Sequence, residues 1–144
     1  MVDSGSESVE VAAGLDKCFS VTTDFEKYPE WAHDVKQATV LTRDSKERPT
    51  VVEFRASALG RSTHYTLGYD YSQAPGVLKW SIIRGDIMRT IDGAYNFSLA
   101  ADGGTEVRYD LAIELVVPLP GFVKRRAEVR ILNTVRELKT RAEA

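Results

Sequence analysis

Three hydrophobic rhythms succeed one another along the chain. The first is short and mixed. Val9 and Val11 share one face of an edge-like strand over residues 8–12, and Leu15, Cys18, Phe19 and Thr22 then recur at helical spacing and predict a short helix over 15–22. The stretch Asp24-Phe25-Glu26-Lys27-Tyr28-Pro29-Glu30-Trp31 sets three rings three residues apart, the spacing of one face of a helical turn. Pro29 lacks the N–H that would bond back to residue 25, so this helical piece stays short.

The second rhythm has a period of two. Residues 35–41 read as a strand whose poor alternation points to a bulge. Residues 50–59 place Val52, Phe54, Ala56 and Ala58 on one face, and after the turn signal Leu59-Gly60-Arg61, residues 61–71 place Thr63, Tyr65, Leu67, Tyr69 and Tyr71 together. Ala74-Pro75-Gly76 breaks the chain. Residues 77–83 then align Leu78, Trp80 and Ile82, and beyond the turn Arg84-Gly85-Asp86, residues 87–99 align Ile87, Arg89, Ile91, Gly93, Tyr95, Phe97 and Leu99. Asp102-Gly103-Gly104 is the strongest hairpin signal. Residues 105–116 alternate most cleanly, with Val107, Tyr109, Leu111, Ile113 and Leu115 against Glu106, Arg108, Asp110, Ala112 and Glu114. One face buried and one wet is the habit of an antiparallel sheet.

The third rhythm is helical and follows Pro118-Leu119-Pro120-Gly121. Val123, Ala127, Ile131, Val135 and Leu138 form an apolar stripe, with Arg126, Arg130, Glu137 and Arg141 opposite. One strand, two short helices, about six more strands and one long amphipathic helix predict an α+β fold with the last helix across a curved sheet.

At 144 residues this is a single domain, expected over residues 7–144, with 1–6 as a mobile N-terminal tail. No apolar run approaches the roughly 20 residues that span a bilayer, and the polar, acidic start lacks the pattern of a secretory signal. A lone cysteine precludes an internal disulfide, so the cytoplasm is the expected location. The net charge of −2 argues against general nucleic-acid binding, although residues 121–144 are basic. Lys124, Arg125 and Arg126 stand in the first turn of the last helix, against its dipole, and are candidates for contact with an anionic surface.

The motifs Asp24-Phe25-Glu26-x-Tyr28-Pro29-Glu30-Trp31, Asp92-Gly93-x-Tyr95 and Asp102-Gly103-Gly104-Thr105-Glu106-Val107, with the run from Val117 to Glu128 and Leu138-Lys139, carry a resemblance. The chain resembles the START-related helix-grip (SRPBCC) superfamily, in its bacterial polyketide cyclase/dehydrase and coenzyme Q-binding-like branch, over nearly its whole length. The resemblance implies a START/Bet v1-like architecture: a curved antiparallel sheet of six to seven strands, two short N-terminal helices and a long C-terminal helix over the concave face. It further implies a cavity for an apolar small molecule or lipid, in a superfamily that also holds enzymes and partner-binding modules.

Within that fold, strand parity turns Phe54, Tyr65, Leu67, Trp80, Ile82, Ile91, Tyr95, Phe97, Tyr109, Leu111 and Ile113 toward the concave face, and the helix adds Ala127, Ile131, Thr134 and Val135. Small residues at Ala56, Ala58, Gly93 and Ala127 leave room. The candidate ligand-binding set is Trp31, Phe54, Tyr65, Trp80, Arg89, Tyr95, Phe97, Tyr109, Ile131 and Val135. Phe25, Tyr28 and Trp31 plug one end of the sheet, with Trp31 also a candidate ligand contact. Arg89 breaks an apolar row; it stands at a solvated mouth or anchors a ligand anion, and it is the sole catalytic candidate. His33 and His64 show no metal-ligand spacing, Cys18 reads as an inert buried thiol, and no cofactor motif is present.

Three functions compete. The first is binding of an apolar or aromatic small molecule, lipid or isoprenoid without dedicated chemistry. The second is an aromatic polyketide cyclase/dehydrase-type enzyme using Arg89 and a tyrosine. The third is a protein-interaction module with a filled core. Whether a reaction is catalysed, and the oligomeric state, stay open.

Overall fold

A computed structural model describes residues 3–58, 61–116 and 133–144. The element order is β1 (Asp3–Val11), α1 (Leu15–Thr23), a 3₁₀ helix (Phe25–Glu30), β2 (Val35–Arg43), β3 (Pro49–Ala58), β4 (Arg61–Asp70), β5 (Val77–Gly85), β6 (Met88–Leu99), β7 (Thr105–Leu115) and α2 (Thr134–Glu143). The strands form one antiparallel sheet in the order β1-β7-β6-β5-β4-β3-β2. Thus β2 to β7 are a meander, and the first strand joins the last. Residues 3–6, expected in a tail, are the start of β1, because Asp3 to Ser6 lie in register with Ile113 to Asp110. The expected turn at residues 59–60 and the helix from 121 to 132, with Lys124, Arg125, Arg126, Ala127 and Ile131, lie outside the described residues.

The alternation of β7 holds through Leu111: Val107, Tyr109 and Leu111 are buried while Glu106 and Arg108 are exposed, and the strand's end is half-buried on both sides. The hairpin before it explains the Asp102-Gly103-Gly104 signal. Gly103 adopts φ +86°, and a Cβ on Gly104 would fall 2.5 Å from the Val11 carbonyl oxygen. Asp102 Oδ1 accepts the Gly104 N–H at 3.1 Å. In β2 the register shifts between Val35 and Gln37 and again beyond Val40, which accounts for its irregular pattern.

Parity fails at one informative place. In β6, Met88 faces Leu115 and Thr90 faces Glu114, so Arg89 is the extra residue of a bulge. The inward side of the strand therefore passes to Met88 and Ile91, both buried, and Arg89 is exposed. Leu99, expected on the buried face, is 78% exposed at the strand's end.

Helix α2 packs on β1, α1 and β7. Val135 and Leu138 are fully buried, as the stripe predicts, and Ala142 extends the buried side by one turn. Its polar side is employed rather than free. Glu137 Oε2 accepts the His33 N–H at 3.0 Å and lies 2.6 Å from His33 Nδ1, Arg141 donates to Glu30 at 2.8 Å, and Glu143 accepts the Ala12 N–H at 2.8 Å. These bonds pin α2 to the segments on either side of α1. Among the described residues, no helix is long and apolar enough to cross a membrane.

Candidate functional site

The site begins with the 3₁₀ helix. Its rings close one end of the sheet: Phe25, Tyr28 and Trp31 are all buried. Phe25 lies 4.4 Å from Tyr69 and 6.2 Å from Phe54 between ring centroids, and Tyr28 lies 4.7 Å from Trp31. Such tilted and edge-on pairs add to the gain from burial. The Tyr28 hydroxyl donates to the Thr22 carbonyl at 2.5 Å, fastening the plug to the end of α1. Pro29 ends the turn, and the Trp31 and Ala32 N–H groups close back on the Tyr28 carbonyl.

Behind this plug the concave face lines a partly open cavity of about 140 Å³. Its described lining is mostly rings and branched aliphatics: Tyr28, Phe54, Tyr65, Tyr69, Trp80, Tyr95 and Tyr109, with Leu67, Met88, Ile91, Leu111 and Ile113. Thr63, Ser57, Asp34 and Thr134 of α2 add sparse polar groups. Two wider depressions, each about 510 Å³, lie over outward-facing residues such as Ser81, Asp92 and Ala112. They are open surface grooves, whereas the inner cavity is deeper and walled by rings, so the inner cavity is the candidate site.

The rings form a continuous cluster. Trp80 lies 5.1 Å from Tyr95 and 5.7 Å from Tyr109, and Tyr65 stacks on Phe54 at 5.4 Å. The glycine opposite Trp80 serves this cluster. A Cβ on Gly93 would fall 2.3 Å from two atoms of the indole, so the space expected there is occupied by Trp80 itself.

Every phenol in the cavity is held neutral. Burial pushes Tyr28, Tyr69, Tyr95 and Tyr109 well above the usual tyrosine range, and the other phenols reinforce the effect. For Tyr95, Glu137 adds to it as well. Tyr65 is pushed up to about 12, first by burial and then by the charge of Asp34. These groups are hydrogen-bond donors at any ordinary pH.

The sequence-derived candidates divide. Phe54, Tyr65, Trp80, Tyr95 and Tyr109 come together around the cavity. Trp31, Phe97 and Val135 are buried in the adjoining core and are not among the lining residues. Phe97 packs on Phe19 and Tyr95, 6.2 and 5.9 Å away. Arg89 is exposed and takes no part in the lining, so an anchoring or catalytic role inside the cavity does not fit its position. Ile131 lies outside the described residues. Tyr28, expected in the plug, also lines the cavity, and Tyr69 was missed although it shares strand parity with Tyr65 and Leu67.

Other chemistry is sparse. Cys18 is wholly buried, and burial raises its thiol above the usual range. Among the described residues no three His, Cys, Asp or Glu side chains gather as a metal would need. Asp86 organises the corner beside Thr63: it accepts the Thr63 hydroxyl, the His64 N–H at 3.0 Å and the Ile87 N–H at 2.6 Å.

Solved structures place this geometry among known folds. A START superfamily protein from Mycobacterium smegmatis aligns with a TM-score of 0.88 at 26% identity, over 97% of each chain. The Zhui aromatase/cyclase from Streptomyces sp. R1128 aligns at 0.80 and 16% identity, covering 99% of this chain and 94% of its own. A protein from Thermus thermophilus aligns at 0.81 and 17%, covering 98% and 94%. No curated protein sequence matches. The curved seven-stranded sheet, the short helices and the C-terminal helix are those of the START/Bet v1-like fold, and a family profile matches residues 3–143, so the chain belongs to the polyketide cyclase / dehydrase and lipid transport family.

Proposed function

We propose that the protein binds an apolar or aromatic small molecule in the concave cavity, without dedicated chemistry of its own. The observation that carries this reading is the concave cavity whose described walls are rings and aliphatics with few polar groups. Burial in such a space stabilises a ligand by about 25 cal/mol per Å² of apolar surface removed from water, before the costs of association. The cyclase/dehydrase-type alternative loses its arginine, since Arg89 stands outside, and keeps only neutral donors among the described lining residues. The partner-module alternative expects a broad exposed apolar patch. Among the described residues the large exposed apolar side chains, Leu41, Ile83, Leu99 and Val116, sit on or beside four different strands.

Native mass spectrometry of the purified chain, followed by organic extraction, tests the reading. A stoichiometric apolar adduct is expected. It should disappear in Ala56→Phe, which places a ring among the lining residues, and persist in Arg89→Ala. An apo mass, with no uptake from a panel of aromatics and lipids, would overturn it.

A further inference from the structure

We infer that the β2–β3 hairpin and the end of β4 form a second binding site, apart from the concave cavity, which takes a small monocarboxylate on Arg48 and the hydroxyl of Tyr71. The inference stands on other residues than the ligand-binding reading above and does not rest on it.

Tyr71 follows β4 directly, on the parity of Tyr65, Leu67 and Tyr69, and is 7% exposed. Its ring meets Phe19 of α1 edge-on at 6.4 Å. Its hydroxyl is buried and has no hydrogen-bond partner, whereas the Tyr28 hydroxyl is spent on the Thr22 carbonyl. An unanswered buried hydroxyl costs stability, and phenylalanine in the same place would avoid that cost. A hydroxyl kept at such a cost points to an acceptor that arrives from outside the chain. Burial pushes this phenol up to about 12, so it is a neutral donor.

Arg48 sets the nature of that acceptor. It closes the loop between β2 and β3, and its guanidinium lies over the Tyr71 ring, 4.8 Å from the centroid. Asp44 holds it there: Oδ1 accepts the Arg48 backbone N–H at 3.0 Å, and Oδ2 accepts Nε at 2.8 Å. The two Nη groups have no acceptor among the described residues. A guanidinium fork and a phenol O–H therefore stand side by side as unused donors. A planar carboxylate fits the fork with its two oxygens and has lone pairs left for the hydroxyl.

Charge limits the anion to one negative unit. Arg43 reaches the Glu47 carbonyl at 3.1 Å and Glu26 at 3.3 Å, so two arginines stand against Asp44 and Glu26 and the cluster is neutral. A phosphate dianion would meet the field of Asp44 with twice the charge of a carboxylate. The Arg48 side chain is 36% exposed, so a ligand reaches Tyr71 past it.

Titration of the full chain with sodium acetate at fixed ionic strength, read by backbone N–H chemical shifts in NMR, tests the site. Acetate is expected to give saturable shifts at residues 44–48 and 71–74, and acetamide, its neutral counterpart, none. Tyr71→Phe should weaken acetate about tenfold, the scale of one charge-assisted hydrogen bond, with Tm unchanged or raised because the hydroxyl has no partner to lose. Arg48→Lys keeps the charge without the fork and should weaken acetate at least as much. Lys46→Ala, which removes an exposed cation of the same loop, should leave the affinity unchanged. Shifts that do not saturate, equal shifts with acetamide, tighter binding of phosphate, or full affinity in Tyr71→Phe each overturn the inference. So does a clear fall in Tm for Tyr71→Phe without acetate, since the hydroxyl would then have a partner within the fold.

Discussion

Gly93→Ala puts one methyl where the structure has an indole. The new Cβ would lie 2.3 Å from two ring atoms of Trp80 and 2.6 Å from a third. Carbon atoms rest about 3.5–4.0 Å apart, so the ring must retreat by more than about 1 Å or the strand must bend. Neither response is free. Trp80 and Gly93 are paired on adjacent strands, and the indole is 6% exposed against Tyr69, Tyr95 and Tyr109. Overpacking of this kind costs about 1–3 kcal/mol, offset by about 0.4–1 kcal/mol from the stiffer unfolded chain. The net expectation is a loss of about 1–2 kcal/mol, or roughly 3–6 °C in Tm for a domain of this size. Urea unfolding measures the energy, and emission from Trp80, one of two tryptophans, reports the displaced ring. Gly76→Ala is the control, since its Cβ meets nothing nearer than 3.8 Å, and it should change stability by less than about 0.5 kcal/mol. If Gly93→Ala is as stable as the parent with the same emission, the indole yields freely and the close-seat argument fails.

Alkali should act on all six tyrosines at once. Each is raised by burial, Tyr65 and Tyr71 to about 12. An unfolded phenol loses its proton near pH 10, so the folded state holds the extra protons. Their contribution is complete below about pH 10 and is lost as pH climbs toward about 12. Tyrosinate absorbance should therefore rise in one step with loss of near-ultraviolet circular dichroism; a non-cooperative rise near pH 10 in the folded protein would contradict the burial. Asp86→Ala should cost about 1–3 kcal/mol, because it strips an acceptor from the fully buried Thr63 hydroxyl and from two backbone N–H groups. In the Thr63→Val/Asp86→Ala cycle the two losses should fall short of additivity, and strict additivity would mean that the pair does not interact.

What was legible in the sequence was periodic. The β7 alternation, the three-apart rings around Pro29 and the Asp102-Gly103-Gly104 turn each encode their own geometry within a few residues. What escaped was set by partners elsewhere in the chain. The role of Arg89 depended on a bulge in β6, which leaves Arg89 outside while Met88 and Ile91 take the inward side. Gly93 looked like empty space because the ring that fills it is on the neighbouring strand. Trp31 and Phe97 share the apolar character of the cavity wall but belong to the plug and the adjoining core. Only tertiary contact separates those cases. Tyr69 was within reach of the same parity argument that found Tyr65.

The joining of β1 to β7 has a consequence for the order of events at the ribosome. The strand Asp3–Val11 leaves the exit tunnel well before its partner Thr105–Leu115 is made. While the residues between them are made, β1 is a strand without a ladder, and β2 to β7 assemble hairpin by hairpin from neighbours. Closing the sheet then waits for a long loop, the slow kind of contact. Until it closes, the outer edge of β7 is an open row of backbone donors and acceptors, and the nascent chain is most exposed to wrong pairing in that interval.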